Sequence, residues 1–336
     1  MLCASRYVFR IMEEPHRHYK VITVGESTID AFMTLAHARS DAHLDKESGG
    51  LCFRFGEKID VDRYDFTIGG NATNVAVGLS RLGIKSTLCT ETGDDEFSLK
   101  IRNMLATEQI ERVLVHQVSG PSNFSVIINF KGDRTLFCED VTRKHEFDFL
   151  DVTTDLVYIT SLGNEWKEPY LTALAFAHKC KAKIAFNPGS RQLREGKDLV
   201  HEIVQQSQMV FLNKEEAELL VFEKETQEHD LDYVKELLTK VKAKGAKIVV
   251  ITDGKKGSYA LDEKGNFYHQ GIHEGEIVER TGAGDGYTAW FIASSLYGKS
   301  VDEAMDWGSW NASSVVSKIG AQAGLLTKEQ MEEKVQ

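Results

Sequence analysis

The chain lacks most of the features that would place it outside the ordinary globular classes. Proline is scarce, with 4 in 336 residues, and no stretch is of low complexity, which excludes collagen-like and largely disordered chains. Cysteine is sparse too: Cys3, Cys52, Cys89, Cys138 and Cys180 are odd in number, scattered, and never in CxxC spacing. That pattern speaks against a disulfide framework or a cysteine zinc site and fits reduced thiols in a cytoplasmic protein. No apolar run approaches the roughly 18 residues that span a bilayer. Residues 1–20, "MLCASRYVFRIMEEPHRHYK", have no continuous apolar core of the signal-peptide kind, and residues 1–18 are expected to be a flexible tail. His16 and His18 have no third ligand nearby, too few for a metal centre. Positive charge is also in deficit. A formal net charge of −11 argues against a nucleic-acid partner, which would need a basic face to neutralise phosphates. No membrane partner is expected either.

What is present suits a large core: 42% of residues are hydrophobic and 27% charged. Apolar runs of strand length alternate with helical patterns from Tyr19 onward. The runs "YKVITVG" (19–25), "LVYITSLG" (156–163), "AKIAFNPG" (182–189), "SQMVFLNKEE" (207–216) and "KIVVITDG" (247–254) are continuous rather than alternating. Strands buried on both faces and separated by helices imply an α/β fold with a mostly parallel central sheet between helical layers. In such sheets ligands bind beyond the carboxyl ends of the strands, where these runs turn polar. Two regions break the rhythm. Residues 31–66 contain short segments around Gly49-Gly50 and Gly56, and "NFSVIINFKGDRTLFCED" (123–140) alternates with period two about a KGD turn, as a hairpin does. Lid segments at roughly 31–66 and 121–140 are therefore expected as excursions from a single domain over 19–330, with 331–336 as a C-terminal tail.

Chemistry concentrates near the C-terminal end, in "ERTGAGDGYTAW" (279–290). This stretch follows the strand-like "GEIVE" and opens an apolar helix that Gly298 ends. Gly282, Ala283 and Gly284 would expose backbone amides at a helix N-terminus, an anion site without any lysine or arginine. Asp285, in the first helical turn, would be favoured in its ionised form by the helix dipole. A carboxylate beside an anion hole can take a proton from a hydroxyl that attacks phosphorus. The competing explanation is a capping aspartate with glycines for tight packing. "YGKS" at 297–300 is no P-loop, because Ala293 stands where that motif needs glycine. Upstream, "TIGGNATNVAVGLSRLG" (67–83) places Asn71 and Asn74 where they could offer amides to a polyhydroxylated ligand or cap the helix that follows.

With these motifs the chain resembles the ribokinase-like (PfkB) carbohydrate kinases over about 19–326. The segment 279–285 resembles the family's Asp-Thr-Thr-Gly-Ala-Gly-Asp signature, and Gly69, Gly70 and Asn74 match its Gly-Gly-x-x-x-Asn pattern. Asn213 and Glu216 match Asn-x-x-Glu, while Thr252, Gly254 and Gly257 match its Thr-x-Gly-x-x-Gly nucleotide loop. The resemblance implies a ribokinase-like three-layer fold with a small β lid and an ATP-dependent phosphotransferase acting on a sugar. Asp285 would be the general base, and the 282–284 backbone would stabilise the transferring group. Asp30, Gly69, Gly70, Asn71 and Asn74 would bind the acceptor, since an acceptor-only carboxylate such as Asp30 suits a vicinal diol. Asn187, Asn213, Thr252, Gly254, Gly257 and Asn311 would line the ATP site, with Asn213 and Glu216 organising Mg2+ through water. Arg191 could face nucleotide phosphate and Arg134 an anionic substrate.

Two departures qualify the match. Glu279 and Arg280 stand where the family usually has Asp and Thr, which puts activation by potassium in doubt. The long stretch between Asp30 and Gly69 leaves the acceptor open: a sugar, or a ribonucleoside bound against Phe53, Phe55, Phe124 or Phe137. A catalytically silent sugar- or nucleotide-sensing module is the reading from another class. The resemblance is also compatible with a homodimer formed through the lid.

Overall fold

The computed structural model describes residues 17–35, 42–45, 47–131, 133–138, 141–222 and 230–335. The chain begins with β1 (Arg17–Val24) and β2 (Thr28–Thr34), then a short hairpin of β3 (Ala42–Leu44) and β4 (Leu51–Phe53). β5 (Arg63–Gly69) leads into α1 (Asn71–Arg81), β6 (Ser86–Thr92), α2 (Glu96–Thr107) and β7 (Val115–Gln117). A second excursion, β8 (Asn123–Phe130) and β9 (Asp133–Cys138), returns through β10 (Val152–Thr160) to α3 (Lys167–Cys180) and β11 (Lys183–Asn187). After α4 (Ser190–Glu195) and α5 (Lys197–Gln206) come β12 (Met209–Asn213), α6 (Lys214–Phe222), α7 (Leu231–Lys242) and β13 (Ile248–Thr252). The order ends with β14 (Ser258–Leu261), β15 (Phe267–Gln270), α8 (Ala283–Leu296), α9 (Val301–Val316) and α10 (Lys328–Lys334).

Among the described residues the main sheet runs β15-β14-β13-β12-β11-β10-β1-β6-β7. The strands from β13 to β7 pair in parallel, and β14 and β15 add an antiparallel edge. Successive side chains of a strand leave opposite faces, which explains why the central strands carry uninterrupted apolar runs. Ile22, Val157, Phe186, Val210 and Ile251 face one helical layer, formed by α3, α5, α6 and α7. Val21, Tyr158, Ala185, Phe211 and Val250 face the other, formed by α1, α2, α8 and α9. In α8 every residue from Asp285 to Ser294 is buried, as expected of a helix that is apolar on all sides. It lies so close to α1 that a Cβ at Gly78 would come within 2.7 Å of Ala289 Cβ and 2.9 Å of the Trp290 ring.

The lid is a separate four-stranded sheet in the order β5-β2-β8-β9. Its β8–β9 hairpin matches the period-two pattern, although Gly132 of the KGD turn and residues 139–140 lie outside the described residues. The lid begins at Thr28 and extends to Gly69, beyond the 31–66 expected, because β2 and β5 pair along their whole length, from Thr28–Gly69 to Thr34–Arg63. β2 also pairs in parallel with β8. "GEIVE" forms no strand: residues 275–279 run as irregular backbone tied to α9 by Val278 and Glu279 amides donating to Val316 O. At the ends, Arg17 and His18 already belong to β1, while residues 1–16 lie outside the described residues. At the other end α10, capped by Thr327, buries Met331. Cys52, Cys89, Cys138 and Cys180 are all unbridged.

One feature of the helical layers bears on stability. Lys214 Nζ and Glu218 Oε1 form an ion pair at 2.7 Å with side chains 1% and 0% exposed, and the Tyr233 hydroxyl donates to the same oxygen. Removing one member of a buried pair leaves a desolvated charge. Glu218→Leu is therefore expected to lower the free energy of unfolding by about 3–5 kcal/mol, whereas Lys214→Met/Glu218→Leu together cost far less; urea denaturation measures both.

Candidate active site

The polar ends of β10, β11, β12 and β13 converge on one edge of the main sheet, and the N-terminus of α8 sits above it. Gly282 is the N-cap of α8 with a left-handed φ of 78°, and no side chain caps the helix. A Cβ at Gly282 would also fall 2.3 Å from Ala321 Cβ, whereas one at Gly284 would point into open space. Ala283 N donates to Arg280 O at 3.4 Å, and the amides of this first turn meet an open region at Gly284. Asp285 stands beside them, 8% exposed, with Oδ2 accepting from Asn74 Nδ2 at 2.8 Å. The helix dipole was expected to favour the ionised carboxylate, but burial dominates: its pKa is raised to about 7, first by desolvation, while the Asn74 hydrogen bond opposes and the Asp30 charge adds to the rise.

Asp30 enters the same cleft from the lid, in the middle of β2 and 5% exposed. Burial is again the main cause that raises its pKa to about 7, with the charges of Glu279 and Glu26 adding and a hydrogen bond from Ser125 opposing. The two glycines at 69 and 70 have distinct reasons. A Cβ at Gly69 would lie 2.0 Å from Asp30 Oδ2, and one at Gly70, whose φ is 93°, would lie 2.4 Å from Glu26 O. Gly69 thus makes room for the carboxylate, and Gly70 lets α1 start against the loop after β1. Neither Asn71 nor Asn74 caps α1. Both ends of the Asn74 carboxamide are engaged, Nδ2 with Asp285 and Oδ1 with Gln322 Nε2 at 3.0 Å, so its partner here is Asp285 rather than open solvent.

On the other side of the cleft, Asn187, Asn213 and Thr252 end three adjacent strands, and Asn213 pairs with Thr252 in register. Asn213 and Glu216 cap α6 reciprocally: Asn213 N donates to Glu216 Oε2 at 3.0 Å and Glu216 N to Asn213 Oδ1 at 2.7 Å. Burial raises the Glu216 carboxyl to about 7, opposed by the Asn213 amide and the Asn187 side chain. Gly254 lies in the short turn after β13, and Gly257 closes against β15, where a Cβ would meet Gln270 O at 2.0 Å. Asn311 is fully buried in α9, its Oδ1 accepting from Leu326 N at 3.0 Å beneath Gly286.

Two cavities flank the cleft. One of about 230 Å3 is lined by Glu26, Thr28, Phe124, Ser125, Cys138 and Arg191 among others. The other, of about 200 Å3, lies where Arg134 of β9 meets Glu279 and Arg280. Arg134 Nε is 3.7 Å from Glu279 Oε1, which also accepts from Thr281 N and Oγ1 at 2.8 and 2.6 Å. Of the four phenylalanines considered as a base-binding wall, Phe124 lines the first cavity and stacks on Phe97 at 5.4 Å between centroids; Phe55 is fully exposed. The sequence does not single out Gln322, which donates to Asn74, or Glu26, which lines the first cavity. Gln322 had one available signal, its position in a glycine-rich loop after a helix.

The model for the pfkB family carbohydrate kinases matches residues 30–328. The chain belongs to the pfkB family. It is 25% identical over 288 residues to 5-dehydro-2-deoxygluconokinase of Bacillus subtilis, covering 80% of this chain and 86% of that one. It is also 25% identical to the nucleoside kinase of Methanocaldococcus jannaschii, with 80% and 85% covered. The structure of Arabidopsis thaliana ribokinase complexed with ribose and ATP superposes with a TM-score of 0.75 at 17% identity, over 94% of this chain and 98% of that one. The three-layer ribokinase-like fold expected for a pfkB kinase is therefore present, and among the described residues no helix is long and apolar enough to cross a membrane.

Two outcomes follow from the cleft. Gly69→Ala pushes a methyl group into Asp30, so any ligand gripped by Asp30 is expected to bind at least about tenfold more weakly, as calorimetry would measure, and the clash is expected to lower thermal stability as well. The raised Asp285 pKa means that the folded state holds a proton which the unfolded chain has released between about pH 4 and 7, so ionisation costs stability as pH rises through that window. Asp285→Asn should then unfold at higher denaturant than wild type at pH 8, by on the order of 1–3 kcal/mol, and show no such advantage at pH 4.

Proposed function

We propose that this pfkB kinase transfers the γ-phosphoryl group of ATP to a primary hydroxyl of a sugar or sugar-like acceptor. The observation that carries the reading is the pairing of two buried carboxyls in one cleft, Asp285 in the first turn of α8, which no side chain caps, and Asp30 across from it on the lid. Asp30, in the pocket that Gly69 keeps open, accepts hydrogen bonds from acceptor hydroxyls, and Asn71 and Gly70 border it. Asp285 takes the proton of the attacking hydroxyl as the O–P bond forms. The amides of Gly282, Ala283 and Gly284 receive the negative charge of the transferring group, which is where positioning and charge stabilisation act in phosphoryl transfer.

The residues at the ends of β11, β12 and β13 suit a magnesium-bound nucleotide. Glu216 is a carboxyl that desolvation leaves in want of a cation, and magnesium is commonly held by one or two carboxylates and several waters. When bound, ATP supplies the phosphoryl group and Mg2+ offsets its charge. Asn187, Asn213 and the loop of Thr252, Gly254 and Gly257 flank that position. At Glu279 the guanidinium of Arg134 already faces the carboxylate, which supports a kinase that works without added potassium. The larger cavity supports a sugar over a ribonucleoside, since Phe124 is the one of the four candidate aromatic residues that lines it. Residues 19–330 are read as one catalytic unit in which the lid closes over the acceptor, and the exposed Tyr64, Phe66 and Phe137 of the lid support a homodimer through its outer face.

A coupled ADP-release assay with ATP and Mg2+ across pentoses, hexoses, sugar acids, sugar phosphates and ribonucleosides tests the reading. A sugar is expected to give the strongest turnover. kcat/KM should fall about tenfold per pH unit below pH 7. Asp285→Asn should lower kcat by about 10³-fold. Turnover on ribonucleosides alone would assign a nucleoside 5'-kinase. Retained turnover in Asp285→Asn would remove the general base, and ATP binding without turnover on any acceptor would point to a sensing module.

A further inference from the structure

Asp285 is held by Asn74, and Asn74 is itself held. A primary carboxamide has a donor end and an acceptor end, and a half-turn of Asn74 would set its oxygen against Asp285 Oδ2. Gln322 Nε2 donates to Asn74 Oδ1 at 3.0 Å, a bond made in the orientation that keeps Asn74 Nδ2 on Asp285 Oδ2 at 2.8 Å. Gln322 lies on the segment between α9 and α10, and that segment is pinned to α1. Arg81 Nη1 donates to Gln322 O at 2.7 Å and Leu325 O at 2.9 Å, while its Nε and Nη2 hold Glu108 at 3.0 and 2.6 Å. On the far side, Asn311 accepts from Leu326 N, and Gly282 packs against Ala321. The arm that carries Gln322 is thus fixed from two directions.

The titratable groups that act on Asp285 are Asp30 on β2, Glu216 on α6 and Tyr158 on β10. None of them brings positive charge, and burial works in the same direction. The Asn74 donor is the counterweight that favours a carboxylate able to accept a proton.

We propose that Gln322 is a positioning residue for phosphoryl transfer: by fixing the carboxamide of Asn74 it keeps a hydrogen bond on Asp285 Oδ2 and leaves Oδ1 as the oxygen that receives the acceptor's proton. The proposal rests on Asp285 being the general base. Gln322 touches neither the acceptor nor the nucleotide in this role.

The test is the pH dependence of kcat/KM in Gln322→Met, which keeps the length of the side chain and removes the donor. The acid limb is expected to move upward by about one pH unit, so that turnover falls about tenfold below the limb and is within about twofold of wild type at pH 9. In an Asn74→Leu background the same substitution should add no further shift, because the relay is already cut. A 13C titration of the Asp285 carboxyl, assigned by its loss in Asp285→Asn, reads the same shift without turnover and serves if Asn74→Leu is too slow to assay. An unmoved limb in Gln322→Met, or an equal shift with and without Asn74, would overturn the proposal. Asp285→Asn separates the two levels: if it is inactive and Gln322→Met is unshifted, the base stands and the relay falls, and if it remains active both fall.

Discussion

The cleft depends on keeping two carboxyl groups, Asp30 and Asp285, dry and close enough to feel each other's charge. Water would screen them, and a looser structure would let them turn outward. Neither occurs, because each sits on an element with no freedom to move: Asp30 in the middle of a strand paired on both sides, Asp285 near the start of a helix buried from Asp285 to Ser294. The main sheet, its two helical layers and the lid hold these two groups in place. The cost is stored electrostatic energy, and such costs collect at functional sites.

Much of this was legible in the sequence, because the relevant signals are local. Continuous apolar runs mark strands covered on both faces, and the main parallel strands fall where such runs stand. Glycines beside a carboxylate or a helix start mark places where a side chain cannot fit, and Gly69, Gly70 and Gly282 are such places. The β8–β9 hairpin follows from strict alternation. What the sequence hid is non-local. The parallel pairing of β2 with β8 joins residues 95 apart, Thr28 with Asn123, and no short-range pattern encodes it. "GEIVE" has strand-like residues but leaves the sheet to lie along α9, since tertiary contact outweighs propensity.

Side-chain direction was the other blind spot. Asn311 is buried in α9, where it holds the backbone at Leu326, an arrangement that no local pattern announces. Asn213 and Glu216 carry the right chemistry for a cation and also cap their own helix. The bond from Asn74 to Asp285 joins residues 211 apart, and no short-range pattern encodes it. A glutamine in a glycine-rich loop gives no sign of its partner until the loop is folded back onto α1.

The contact between α1 and α8 has a further consequence. Asn74 and Gly78 lie one turn apart on α1, as do Asp285 and Ala289 on α8, and residues four apart share a helix face. The hydrogen bond between Asn74 and Asp285 therefore stands one turn along from the point where Gly78 meets Ala289. The missing methyl group at position 78 works as a gauge block: it sets how near the two helices come, and with that the reach of a bond at the surface of the cleft, although glycine itself never touches a ligand.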